Sequence, residues 1–147
     1  MLGRLLLLPD LRRHEDWSLL LLRLATGAFL VHGTWDNVSS AARMEEFAVF
    51  LTRFGFPAPE LMAPLSAYAQ FACGLLFIAG LFTRWAGWIM AFNFAVAIAM
   101  VDRLAPGGFR AVWPALALLA IGVHLGVRGA GRWSADAALE RRLLPWP

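Results

Sequence analysis

The sequence predicts an all-α integral membrane protein, a four-helix bundle with an amphipathic interfacial helix between the first and second spans. Three observations point to it. Of 147 residues, 60% are hydrophobic and only 16% charged, where soluble domains carry about 25% charged residues. The apolar residues fall into four long runs, each matching the ~17–25 residues a helix needs to cross the hydrocarbon core. The 13 lysine-plus-arginine side chains are all arginine and lie mostly between those runs. A basic balance can signal nucleic-acid binding, but arginines set between apolar runs signal membrane topology instead. The lipid bilayer is therefore the expected partner, and no nucleic acid is.

The first 16 residues contain only four consecutive apolar residues, Leu5 to Leu8, before Pro9 and a series of charges. That is too little for a cleavable signal, and the segment reads as a cytoplasmic tail. Spans follow over 17–38, 59–82, 85–101 and 111–127, within one domain covering 1–147. They are too long and too uniformly apolar for the alternating strands of a membrane barrel. Residues 39–57 differ. Arg43, Glu45, Glu46 and Arg53 alternate with Met44, Phe47, Phe50, Leu51 and Phe54 at spacings of three and four. This is the pattern of an amphipathic helix lying at the membrane surface, with Ser39 or Ser40 as its cap. Gly55, Pro57 and Pro59 turn the chain into the second span. The connection at Phe82 to Trp85 is short enough to make the second and third spans antiparallel neighbours. Pro106, Gly107 and Gly108 make the next turn.

Arginine placement orients the bundle. Arg4, Arg12, Arg13, Arg84, Arg128, Arg132, Arg141 and Arg142 fall on one side, and Arg43, Arg53, Arg103 and Arg110 on the other. The positive-inside rule puts both termini in the cytoplasm. Trp17, Trp85, Trp113 and Trp133 stand near span ends, as interfacial aromatics do. Gly87, Ala91, Ala95 and Ala99 recur every fourth residue in the third span, and Gly122 and Gly126 in the fourth. Small residues at that spacing let helix backbones approach closely, within one subunit or between subunits.

Polar groups inside spans are costly, so each of Arg23, His32, Asp36, Gln70, Asn93, Asp102 and His124 asks for a partner or a function. His32 and Asp36 share a helical face near the outer end of the first span. Ser66, Gln70 and Cys73 form a polar stripe on the second. With Asn37, Tyr68 and Asp102 they collect in the outer half. There, His32, Asp36, Ser66, Gln70 and Asp102 are candidates to bind a polar head such as a quinone carbonyl, or to relay protons. The competing reading is a hydrogen-bonded network that pins the helices. In the inner half, Arg23 and His124 share a level, unless Arg23 snorkels to the headgroups. His32 and His124 lie roughly 15 Å apart in depth at about 1.5 Å per residue. They cannot grip one haem iron, and no other spacing suggests a metal. The single cysteine, Cys73, excludes an intrachain disulfide and reads as a small packing residue.

Three short motifs stand in order on these spans. They are His32-Gly33, Gly80-Leu81-Phe82-Thr83-Arg84 and Gly131-Arg132-Trp133-Ser134-Ala135-Asp136. Together they resemble the DoxX family over residues 17–142. That family consists of bacterial four-helix membrane proteins, and its related DoxD branch forms the membrane part of thiosulfate:quinone oxidoreductase. The resemblance implies the fold and the bacterial inner membrane. It also implies a link to membrane redox complexes. Family members often carry a lysine near the position of Asp36 and a glutamate near that of Gln70. Here Asp36 and Gln70 stand in place of that charged pair and are expected to face each other and hydrogen-bond, with His32 one turn deeper.

The function expected is a membrane component of a redox system, quinone-linked, with no covalently bound cofactor and with a second copy or a redox protein as partner. A non-catalytic membrane scaffold or assembly factor is the alternative, and a small transporter a third reading. The topology is directly testable. Cysteines introduced beside Arg43 and Arg132 are expected to react with an impermeant reagent from opposite sides, Arg43 outside. Labelling of both from the same side removes the four-span arrangement.

Overall fold

The computed structural model describes residues 8, 13–101 and 108–144. Within them the chain is all-helical, without strands. The helices are α1 (Glu15–Ser39), α2 (Ala41–Arg53), α3 (Pro59–Ala79), α4 (Thr83–Val101), α5 (Phe109–Arg128) and α6 (Ala135–Leu143). Helices α1, α3 and α5 are long and apolar enough to cross a membrane. Helix α4 has 19 residues and carries Thr83 and Arg84 in its first turn. Arg4, Arg12, Asp102, Arg103, Pro106 and Gly107 lie outside the described residues.

Two boundaries differ from the sequence expectation, for local reasons. The second span stops at Ala79 instead of Phe82 because Gly80 adopts a left-handed conformation (φ 66°). The Leu81 amide then returns to the Leu76 carbonyl at 3.0 Å, a Schellman-type ending. The third span starts two residues early, at Thr83, because Asp136 caps it from a distant part of the chain. Its two carboxylate oxygens accept from the Phe82 and Thr83 amides at 2.7 and 2.9 Å. A carboxylate there satisfies otherwise orphaned amides and complements the helix dipole. It also holds Phe82 at φ 48°, a conformation that L-residues rarely adopt. Of the two candidate caps for α2, it is the Ser40 hydroxyl that accepts from the Arg43 amide, at 3.5 Å.

Packing is built from two close helix pairs. In the first, α1 meets α3 where Gly27 faces Gly74. A Cβ on Gly27 would stand 2.6 Å from the Gly74 carbonyl oxygen. In the second, Gly87 and Ala91 of α4 press on Gly122 and Gly126 of α5, where a Cβ on Gly87 would stand 2.5 Å from the Gly126 nitrogen. The small-residue stripe thus serves a contact within the chain, while Ala95 and Ala99 are exposed. Lipid tails are as apolar as leucine, so such pairs gain from van der Waals contact more than from burial away from water. The core between the pairs holds Leu19, Leu30, Cys73, Phe77, Met90 and Leu125.

One end of the bundle is closed by a clasp made from three distant segments. Arg23 of α1 is 1% exposed. Its guanidinium donates to the carbonyls of Ala130 (3.0 Å) and Trp133 (2.9 Å), in the loop after α5. Arg23 is thus held by backbone carbonyls of the chain itself. Its Nε is buried without a hydrogen-bond partner among the described residues. Over it passes Gly80, whose carbonyl accepts from the Asp136 amide at 2.9 Å. A Cβ at Gly80 would overlap the Arg23 guanidinium and approach the Ser134 Cβ to 2.7 Å. Ser134 caps α6 by accepting from the Ala137 amide at 3.1 Å. Asp16 accepts from the Arg132 amide at 3.0 Å, and Glu15 pairs with Arg128. The motifs Gly80 to Arg84 and Gly131 to Asp136 are therefore two halves of one structural device.

Gly80→Ala is expected to lower stability on the order of 2 to 5 kcal/mol, from its left-handed backbone and the overlap with Arg23. Gly33→Ala, where a Cβ meets nothing within 4 Å, is expected to be neutral or stabilising by about 0.5–1 kcal/mol. Thermal unfolding of both in detergent checks the pair, and similar melting temperatures would contradict the clasp.

Candidate functional site

At the opposite end from the clasp, polar side chains of α3 and α4 meet. The Ser66 hydroxyl donates to the Asn93 Oδ1 at 2.8 Å, and the Gln70 Nε2 donates to the Ser66 oxygen at 3.1 Å. Ser66 and Gln70 are four residues apart and so lie one above the other on α3. Asn93 reaches them from α4. All three are half-buried. Among the described residues, nothing accepts from the Asn93 amide hydrogens or donates to the Gln70 carbonyl.

These groups form the polar wall of a cavity of about 430 Å³. The remaining walls are apolar. Phe47, Phe50 and Leu51 of α2 and Phe56 of the following turn close one side, and Leu65, Ile89 and Phe92 line the others. The amphipathic pattern of the second segment finds its use here: its apolar side packs on α3, with Leu51 buried, and its charged side carries the exposed Arg43–Glu46 pair. A concave, mostly apolar cavity with a few convergent polar groups has the character of a small-molecule site. Its chemistry is limited by its residues. A hydroxyl and two amides exchange hydrogen bonds but do not titrate near neutral pH. The site can orient a carbonyl-bearing apolar molecule, and it holds no general acid or base of its own.

The other candidates are placed elsewhere. His32 and Asp36 are exposed, and neither is hydrogen-bonded to Gln70 among the described residues. The expected pairing of Asp36 with Gln70, with His32 beside them, is not formed. The reason lies in the helix phase. Arg23, Gly27, Leu30 and Thr34 are the buried stripe of α1, and at 100° per residue His32 and Asp36 fall roughly half a turn away. Thr34 takes the inward position and donates to its own Leu30 carbonyl at 2.7 Å. His124 is also exposed, on the side of α5 away from Gly122 and Gly126, and shares no hydrogen bond with Arg23. Tyr68 is exposed, and Cys73 is a buried core residue. Asp102 lies outside the described residues. No group of three His, Cys, Asp or Glu side chains suited to a metal ion occurs among those described. Asn93, which the sequence marks as a polar residue inside a span, is joined to Ser66 and Gln70 only in three dimensions. Its sequence signal was a lone amide in an apolar run.

A family model, DoxX, matches residues 18–103, which covers α1 to α4 and with them every residue of the polar wall. The chain belongs to the DoxX family. It is also similar to the uncharacterized membrane protein Rv3486 of Mycobacterium tuberculosis, at 32% identity over 102 residues. That similarity covers 61% of this chain and 63% of the relative, so the chain spans less than two thirds of the relative's length. No solved structure matches it. Family membership and the apolar helices together make this a multi-pass membrane protein. The DoxX match ends before α5, so the loop after α5 that receives Arg23 lies beyond the matched segment.

The site geometry separates the polar residues by role. Ser66→Ala is expected to cost about 1 kcal/mol, because it removes the link between the Gln70 and Asn93 amides. Asp36→Asn, at an exposed position, is expected to change stability by less than about 0.5 kcal/mol. Chemical denaturation in mixed micelles measures both, and a larger loss for Asp36→Asn would place that carboxylate in a buried network.

Proposed function

We propose that this DoxX protein is a quinone-binding component of a redox system in the bacterial cytoplasmic membrane, with both termini inside. In this reading α1, α3, α4 and α5 are the four spans, and α2 lies at the outer interface as the roof of the cavity. The observation that carries it is the cavity of about 430 Å³ whose polar wall is Ser66, Gln70 and Asn93. A quinone ring is planar, apolar on its faces and carries two carbonyl acceptors. Amide hydrogens of Asn93 or Gln70 donate to a carbonyl, and the phenylalanines of α2 cover the ring. The exposed Leu65, Ile89 and Phe92 at the mouth suit an isoprenoid tail continuing into lipid. With no titratable group in the polar wall, the protein supplies orientation, and proton and electron exchange belong to a redox partner.

A scaffold or assembly factor is the second reading, and a specific observation favours it. The motif Gly80 to Arg84, which lies inside the segment that the family model matches, is spent on the clasp and stands away from the cavity.

Titration of the purified protein with a short-tailed ubiquinone, read by tryptophan fluorescence, separates the two. Saturable quenching is expected, weakened roughly five- to tenfold in Asn93→Leu, the effect of about 1 kcal/mol or slightly more for one lost hydrogen bond. Linear, unsaturable quenching that is identical in wild type and variant would remove the quinone reading.

A further inference from the structure

The clasp end carries a second concavity, a groove of about 720 Å³ between α6 and the junction of α4 with α5. We infer that it is a docking site for an acidic phospholipid of the bilayer, its phosphate held by Arg84 and its acyl chains lying along Trp85 and the leucines of α6. The groove is independent of the quinone cavity, which lies at the other end of the bundle.

Its lining combines charged residues of the loop after α5 with exposed apolar side chains of α4 and α6. Phe82 and Trp85 at the start of α4 are exposed, Trp85 at 72%. Facing them across the groove, Leu139 and Leu143 recur four residues apart on α6, followed by Leu144, all exposed. The groove is not a matter of chance placement. Ser134 caps α6, and the Asp136 carboxylate and amide tie its first turn to α4 and Gly80. Trp17 and Trp133 pack together at the same end, 5.4 Å between rings, as aromatics do at headgroup level.

The charge balance selects the headgroup. Arg128 is paired with Glu15, and Arg132 lies 3.9 Å from Asp16. Asp136 is engaged by two amides of α4. Arg84 stands apart. It donates one hydrogen bond to the Val127 carbonyl and has no ion pair among the described residues, although the exposed Glu140 also lines the groove. Arg141 and Arg142 extend the positive surface along α6, against the single exposed Glu140. An unpaired guanidinium beside exposed apolar walls at the membrane surface matches a phosphate carrying two acyl chains.

The test uses the full-length protein in neutral detergent, with native mass spectrometry reading the retention of added phosphatidylglycerol against phosphatidylcholine. The expected result is preferential retention of phosphatidylglycerol. Arg84→Gln, which keeps a donor for Val127 but removes the charge, should lower that preference roughly fivefold, the worth of one basic residue near a membrane surface. Arg84→Lys should restore it. Equal retention of the two lipids by wild type, or an unchanged preference in Arg84→Gln, overturns the inference. Displacement of phosphatidylglycerol by millimolar inorganic phosphate also overturns it, because the groove would then serve a soluble anion. If Arg84→Gln does not fold, Leu143→Glu at an exposed position reads the same groove, and undiminished phosphatidylglycerol retention there counts against the site equally.

Discussion

A guanidinium inside a membrane protein needs somewhere to put its donors, and the packing around Arg23 follows from that need. A positive charge near the middle of a span costs on the order of 2.5 to 3.5 kcal/mol on insertion scales. Arg23 sits eight residues into α1, about 12 Å along the axis from Glu15. It is buried by the rest of the chain, and its partners come from the loop after α5. To reach it, that loop must fold back over the bundle end. To admit it, the turn after α3 must be glycine. To hold the loop down, Asp136 must cap α4. The first, middle and last described helices are thereby joined at one point.

The helices were readable in the sequence because an apolar run of membrane-spanning length is rarely anything but a span. The amphipathic helix between α1 and α3 was equally readable from its three-and-four spacing, and the small-residue stripe located the contact of α4 with α5. Which face of α1 turns inward was not. In a membrane chain, polar residues are expected to point into the bundle, and that rule sent His32 and Asp36 towards Gln70. The structure obeys a stronger constraint. Gly27 must meet Gly74 and Arg23 must meet its carbonyls, which fixes the rotation of α1 and leaves Thr34 as the inward polar residue. The polar pair was visible in the sequence, but the steric contact that sets helix phase involves a glycine with nothing to advertise it.

The site was legible by half. Ser66 and Gln70 were recognisable as a stripe on one helix, because four-residue spacing is a local property. Asn93 joins them only through the antiparallel return of α4, and the cavity exists only because α2 is laid across it. Helix α6 was not legible, because its nine residues carry two arginines and a glutamate near the chain end, a composition shared with unstructured tails. What identifies it as structured is Asp136, whose partners lie more than fifty residues earlier.

The clasp also has a direction in time. Arg23 and the Ala130 carbonyl are separated by 107 positions, so at ~5–20 residues per second the ribosome delivers the acceptor roughly 5 to 20 s after the donor. Throughout that interval the arginine of the first span is without the carbonyls that receive it in the finished bundle. The span therefore begins its life as a marginal insertion substrate and becomes a stable one only when the end of the chain arrives. A truncated product never receives those carbonyls, so the same side chain that locks the finished bundle leaves an unfinished one open to the membrane's quality-control proteases.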